Sequence, residues 1–230
     1  MSSTEEKERA TYLLEAQDKA ASMFEEIERT LIRPGVLEST INQEILDLGA
    51  KRHDVRTHWH KRVIRSGPNT LKPYAEDPPD RMIEEDDIMF VDLGPVFEKW
   101  EADFGRTFVL GNDPVKLKLR DSLEPVWNTT KAQFDQRPDM TGEELYAIVC
   151  EEAKKAGYEF GGPHSGHLVG NFPHERIPND KITFYITEGN KGSMEQVDKN
   201  GLKRHWILEV HLVDTSLQIG GFMEQLLTVG

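Results

Sequence analysis

Apolar residues recur at three- and four-residue steps over residues 4–30. Leu13, Ala16, Ala20, Phe24 and Ile27 fall on one face, which predicts an amphipathic helix. Arg33-Pro34-Gly35 breaks it. A second helix is expected from about Ser39 to Lys51, with Ile41, Ile45 and Leu48 on one face, Ser39 or Thr40 as its cap, and Glu44 near the positive end of its dipole. Two more are expected over 115–134 and 141–156. The last opens on Thr141 with Glu144 three residues on, a capping box, and stops at Gly157. The other periodic runs read as strands: Thr57 to Ile64, Ile88 to Leu93, Asp103 to Leu110, Leu168-Val169, Ile182 to Thr187, Trp206 to Val213 and Phe222 to Val229. The gap between Leu93 and Asp103 suits a hairpin with a wide loop. Residues 66–69 read as a turn, and Pro73, Pro78 and Pro79 mark a loop. Helices segregated from strand runs predict an α+β chain with an antiparallel, strongly curved sheet. Arg33-Pro34-Gly35-Val36 before Ile41 and Ile45 recurs as Arg137-Pro138-Asp139-Met140 before Leu145 and Val149. So short a match is compatible with chance, and equally with two similar halves.

Charge narrows the function classes. The 230 residues carry 28 Lys+Arg and 41 Asp+Glu, a net charge of −13. That disfavours nucleic acid and anionic membranes, both of which want a basic face. No apolar run approaches the roughly 20 residues that cross a bilayer. Residues 1–9 lack the apolar stretch of a secretory signal, and a single cysteine allows no internal disulfide, so a cytoplasmic location is expected. Cys150, inside a helical pattern, reads as a buried inert thiol. The segment 51–65 is basic. Arg62 or Arg65 could pair with a substrate carboxylate, and a solvated strand explains the segment equally. Glu84 to Asp87 reads as a solvated turn. The four tryptophans read as packing residues, with Trp59 and Trp100 also able to line a pocket.

Four acids interrupt apolar runs: Asp92 after Ile88 to Val91, Asp103 before Phe108 to Leu110, Glu209 in Trp206 to Val210, and Glu224 in Phe222 to Leu227. Strand alternation places Glu209 on a face with Ile207 and His211, and Leu208 and Val210 on the other. Any one acid is explained by an edge strand with its polar face in water. Together they call for a cation, because several buried carboxylates repel one another and the strands carry almost no lysine. Residues 161–175 supply His164, His167 and His174 among glycines. Oxygen donors with one or two imidazoles suit Mn, Fe, Co or Zn.

The ordered series resembles the pita-bread metallopeptidases: methionine aminopeptidase, Xaa-Pro aminopeptidase, prolidase and the related creatinase. The likeness runs from the N-terminal helix and the turn at 33–38 to Glu224. It is carried by Asp92-Leu93-Gly94, by Ala102-Asp103-Phe104-Gly105-Arg106-Thr107 with its acid eleven residues after Asp92, by Gly166-His167 with His174 seven residues on, and by Glu209 and Glu224. The resemblance implies a pita-bread fold, with helices on the outer face of a curved sheet and two pseudo-symmetric halves. It implies one domain over 1–230, without the N-terminal domain of prolidase- and creatinase-like members. It further implies two divalent ions, Mn, Co, Fe or Zn, with Asp92 on one, His167 and Glu209 on the other, and Asp103 and Glu224 bridging. A bridging water would be the nucleophile, Glu209 would accept its proton, and His174 would hydrogen-bond the substrate carbonyl.

Candidates for substrate contact are His58, His60, Tyr74 and His164. The family carries a substrate-contacting His on the loop before the first Asp. Here that stretch is Asn69-Thr70-Leu71-Lys72-Pro73-Tyr74, with Pro73 as the nearest equivalent, and His58 or His60 would have to supply the imidazole. The family's Glu-Pro is Glu209-Val210 here. The expected partner is a dipeptide or another small molecule, with a homodimer as one way of closing the pocket. Three readings stand: an amide hydrolase for small peptides, a same-fold enzyme with non-peptide chemistry on an amino-acid derivative, and a non-catalytic binding module.

Overall fold

The structure, a computed structural model, describes residues 3–174 and 181–229; Glu175, at the end of the glycine-rich segment, lies outside them. Among the described residues four long helices form where the periodicity is helical: α1 (Ser3–Thr30), α2 (Glu38–Arg52), α3 (Pro114–Gln136) and α4 (Gly142–Lys155). The capping box is present at α4. Thr141 Oγ1 accepts from Glu144 N at 3.2 Å, and the Glu144 carboxylate accepts from Thr141 N at 2.8 Å. At α2 the expected cap is not used. Leu37 occupies the cap position without a side-chain bond, and Ser39 Oγ instead donates to Asp80 at 2.6 Å.

The strands are β1 (Val63–Ser66), β2 (Ile88–Leu93), β3 (Val96–Phe97), β4 (Trp100–Glu101), β5 (Phe104–Val109), β6 (Glu159–Phe160), β7 (Leu168–Val169), β8 (His205–Asp214) and β9 (Ile219–Leu226). The main sheet runs β1-β2-β5-β9-β8-β6, with β7 on β8, and its pairings are antiparallel. β3 and β4 form a small hairpin in the wide loop between Leu93 and Asp103. Two expected strands are corrected. Over 57–64 only Val63 and Ile64 belong to a strand, and the residues before them cross the β2–β3 turn, with Trp59 N donating to Gly94 O at 2.9 Å. Ile182–Phe184 is a short 3-10 helix, and Tyr185 makes one bridge to His167.

Each helix pair has its own core. α1 and α2 pack on Ile64, Met89, Val91, Leu93 and Phe104, while α3 and α4 pack on Leu208, Val210, Leu212 and Met223. The cap of the second helix in each pair makes a β-bridge, Leu37 to Met82 and Thr141 to Ser193. Each of these caps follows one of the two Arg-Pro segments, so the helix pairs are entered in the same way. The helices cover the outer face, so side chains of opposite parity on β2, β8 and β9 project to the inner one. Among the described residues no helix is long and apolar enough to cross a membrane.

Candidate metal centre

Strand register sets the acids in a row. Asp92 on β2 pairs with Gly105 on β5, Gly105 with Glu224 on β9, and Glu224 with Glu209 on β8. Directly paired residues share a face, so the carboxylates of β2, β9 and β8 project onto the inner side, with Gly105 of β5 between the first two. Gly105, in the middle, leaves them room: a Cβ there would stand 2.7 Å from the Phe222 ring and 3.3 Å from Glu224 Cγ. Asp103, just before β5, joins the row from the side, with a carboxylate oxygen within 4.8 Å of one of Glu224. All four acids are buried, at 6, 3, 7 and 2% exposed for Asp92, Asp103, Glu209 and Glu224.

Two imidazoles close on Asp103. His60 Nε2 lies 3.1 Å from its Oδ1 and 3.6 Å from Asp92 Oδ1. His167 Nε2 lies 2.9 Å from its Oδ2 and 3.5 Å from Glu209 Oε1. Burial pulls both imidazoles down, but the carboxylates around them win, taking His60 up to about 10 and His167 to about 9. Burial raises Asp92 to about 7, with the charges of Asp103 and Glu209 adding and His60 opposing. It lifts Glu224 well above the usual range, with Asp103 and Asp92 adding. Asp103 goes the other way. Burial opposes its ionisation, but His60 and the hydrogen bonds it receives hold it below the usual carboxylate range. The set is thus balanced around positive charge.

The donor chemistry fits divalent ions. Asp92 Oδ1, Glu209 Oε1 and Glu224 Oε1 are buried and have no hydrogen-bond partner among the described residues. Orphaned carboxylate oxygens at one spot cost stability unless a cation meets them. Carboxylates with imidazoles are the donors that Mn, Fe, Co and Zn take.

The centre forms the floor of a cavity of about 570 Å³. Trp59 stands beside it. Its Nε1 donates to Ala102 O at 3.0 Å, and its ring meets those of His60, His167 and His174 at 4.4, 5.1 and 5.3 Å. His174 is aimed by Glu101, a carboxylate only 1% exposed. Glu101 accepts from Gly170 N at 3.1 Å and His174 N at 3.0 Å, and pairs with His174 Nδ1 at 2.8 Å. That leaves the Nε2 edge of the imidazole free of this pairing. Val63, Phe90 and Phe222 cluster as an apolar end of the cavity.

The sequence model of metallopeptidase family M24 matches residues 11–198. The chain belongs to that family. An Xaa-Pro dipeptidase of Pyrococcus furiosus is 34% identical over 115 residues, 49% of this chain and 32% of that protein. A prolidase from Thermococcus sibiricus superposes with a TM-score of 0.72 at 20% identity, covering 95% of this chain and 55% of the other. An X-Pro aminopeptidase from Thermotoga maritima gives 0.73 at 19% identity, covering all of this chain and 62% of the other. These likenesses show the pita-bread fold. The matched stretches span less than two thirds of each relative.

In this M24 chain the five residues implied by the resemblance, Asp92, Asp103, His167, Glu209 and Glu224, converge. His164 lies on the wall, its ring 4.7 Å from Tyr185 and its Nδ1 3.5 Å from Glu209. Tyr74 is also on the wall, exposed, with its hydroxyl accepting from Lys61 N at 3.4 Å. His60 also lines the cavity, with its Nε2 turned onto the carboxylates. His58 is not on the cavity wall. Its pKa falls to about 4, through burial and then the charges of Arg62 and His60. Neither Arg62 nor Arg65 reaches the cavity: Arg62 donates to Asn42 at 2.7 Å, and Arg65 to the Glu76 carbonyl. Trp100 stacks on Tyr12 at 5.4 Å instead of lining the pocket. Asp87 is not solvated but buried against Arg81, and Cys150 is only half-buried. Glu101, which lines the cavity and pairs with His174, is not singled out by the sequence pattern. Its one signal is its place two residues before Asp103, in the same wide loop.

Proposed function

We propose that this chain is a metal-dependent hydrolase that cleaves an amide bond in a small substrate of the Xaa-Pro dipeptide kind. The observation that carries the reading is the convergence of buried carboxylates from neighbouring strands, with an imidazole on each oxygen of Asp103, at the floor of a cavity of dipeptide size. Asp92 on one side, and His167 with Glu209 on the other, would hold two divalent ions sharing Asp103 and Glu224. When bound, such ions supply an activated bridging water and polarise the scissile carbonyl. The chain's own side chains do the rest. Glu209, on the cavity wall beside His167 and His164, accepts the proton of the attacking water. His174, held by Glu101, presents Nε2 to the carbonyl oxygen. Val63, Phe90 and Phe222 take an apolar substrate side chain, while Tyr74 and His164 bound the polar part of the cavity.

The absence of a histidine at 69–74 favours a second reading, the same chemistry on a non-peptide amino-acid derivative. A panel of Xaa-Pro and other dipeptides and amino-acid amides, offered to EDTA-treated protein with and without Mn²⁺ or Co²⁺, separates the two. Ion-dependent release of proline supports the dipeptidase reading. Stoichiometric metal with turnover of amides alone supports the second. A chain that takes up no metal is a binding module.

A further inference from the structure

We propose that His60 is a sixth protein ligand, completing the site of the Asp92 ion together with Asp92, Asp103 and Glu224. The inference rests on the metal reading above and sharpens it, since the five residues of the family pattern give the Asp92 ion oxygen donors alone.

Four observations point the same way. First, His60 mirrors His167 across Asp103. One Nε2 sits 3.1 Å from Oδ1, the other 2.9 Å from Oδ2. Second, both rings are anchored identically. His60 Nδ1 lies 2.7 Å from the carbonyl of Lys61, and His167 Nδ1 lies 2.9 Å from that of Leu168, in each case the next residue. A carbonyl there fixes the hydrogen on Nδ1 and leaves the Nε2 lone pair pointing at the carboxylates, the usual arrangement of a metal-ligating histidine. Third, His60, Asp92, Asp103 and Glu224 each offer one donor atom within 4.8 Å of all the others. Ligands on opposite sides of one ion, with bonds of about 2.0–2.2 Å, stand about 4 Å apart. Asp92 Oδ1, which has no hydrogen-bond partner among the described residues, is 3.6 Å from Nε2. That is too long for a hydrogen bond and suits two ligands of a shared ion.

Fourth, the chain makes room for this ring. A Cβ on Gly94 would stand 2.2 Å from His60 Cδ2 and 2.4 Å from Nε2. With 9% of its side chain exposed and Trp59 packed against it at 4.4 Å, the imidazole sits with the carboxylates at the floor of the cavity. The consequence is one imidazole for each ion. The Asp92 site becomes a nitrogen-containing set, which shifts its preference toward Co, Fe or Zn and away from Mg or Mn.

X-ray absorption on the cobalt-loaded wild-type chain counts imidazoles per ion. One per cobalt is expected, whereas the five-residue set gives one per two. A cobalt titration by calorimetry supplies the second measurement. His60→Ala should weaken one ion by at least ~10–100-fold, the range seen when a ligand's mere support is removed, and leave the other tight. His167→Ala should spare the Asp92 ion. Two cobalt ions sharing one imidazole, with wild-type affinities in His60→Ala, overturn the assignment of His60 while leaving the metal reading intact. A wild-type chain that binds no cobalt overturns both. If His60→Ala does not fold, the absorption count on the wild-type chain decides alone.

Discussion

Gly94→Ala adds a single methyl group at a crowded point of the site. The new Cβ would stand 2.2 Å from His60 Cδ2, 2.4 Å from His60 Nε2 and 2.5 Å from Trp59 Nε1. Ordinary contact begins near 3.4 Å, so the His60 ring must retreat by about 1 Å, which is half the length of a metal–nitrogen bond. The Gly94 φ angle is not in the left-handed region, so the backbone tolerates alanine and the whole effect is steric. Overpacking of this kind costs about 1–3 kcal/mol of stability. It also drives Trp59 off its bond to Ala102 O and disturbs the three imidazoles that its ring touches. The assay is a cobalt titration beside a thermal melt. A modest drop in melting temperature with a disproportionate loss of ion affinity on the Asp92 side is expected. Unchanged stability and unchanged binding of both ions would refute the geometry given to His60 and Trp59.

Asp103→Ala removes the partner of both imidazoles. It should abolish metal uptake and activity together while the circular dichroism of the fold persists, and turnover by an ion-free variant would overturn the role given to the carboxylates. His174→Ala and Glu101→Gln should lower turnover on the order of 10²-fold with metal content unchanged; metal loss in His174→Ala would recast that residue as a ligand. The metal-free protein should lose stability as pH rises. The His60 and His167 contributions, with pKa values raised from 6.5 to about 10 and about 9, are fully present below 6.5 and disappear as pH climbs through those values. Asp92, raised from 3.8 to about 7, acts in the same direction between those two pH values, since its protonated form is the one the fold favours. A decline of a few kcal/mol between pH 5 and 10, relieved by added metal because the ligands bind deprotonated, is expected in thermal melts. A metal-free melting temperature that rises over that range would refute the balance of charges described.

The helices are legible in the sequence because their stripes are long and their breaks explicit; α1, α3 and α4 match the apolar spacing to within two residues at each end. The strands are legible where alternation separates a helix-facing side from an inner side, as in β8, where Leu208 and Val210 face the helices and Glu209 and His211 face the cavity. Ile182 to Thr187 misleads because its β-branched residues look like a strand wherever they lie, yet among the described residues the segment's bridge is the single one from Tyr185 to His167. The four acids stand out because they break apolar runs. What no local pattern contains is their pairing: that Asp92 meets Gly105, and Gly105 meets Glu224, is a fact of register between distant segments. His60 is visible only as an imidazole at the entrance to β1. Its destination depends on Gly94, more than thirty positions downstream, having no side chain. Glu101 escapes notice because β4 is two residues long and shows no alternation to violate.

The alignment of acids across neighbouring strands also makes the ion an inspector of how the sheet was assembled. Displacing β9 by a single position against β8 would rotate Glu224 to the helix side and bring Gln225 or Met223 inward. No such misthreaded form could capture the cations that the proper one captures. Refolding in the presence of cobalt would therefore pull the chain toward its native threading by mass action, and ion uptake during renaturation becomes a readout of correct strand order.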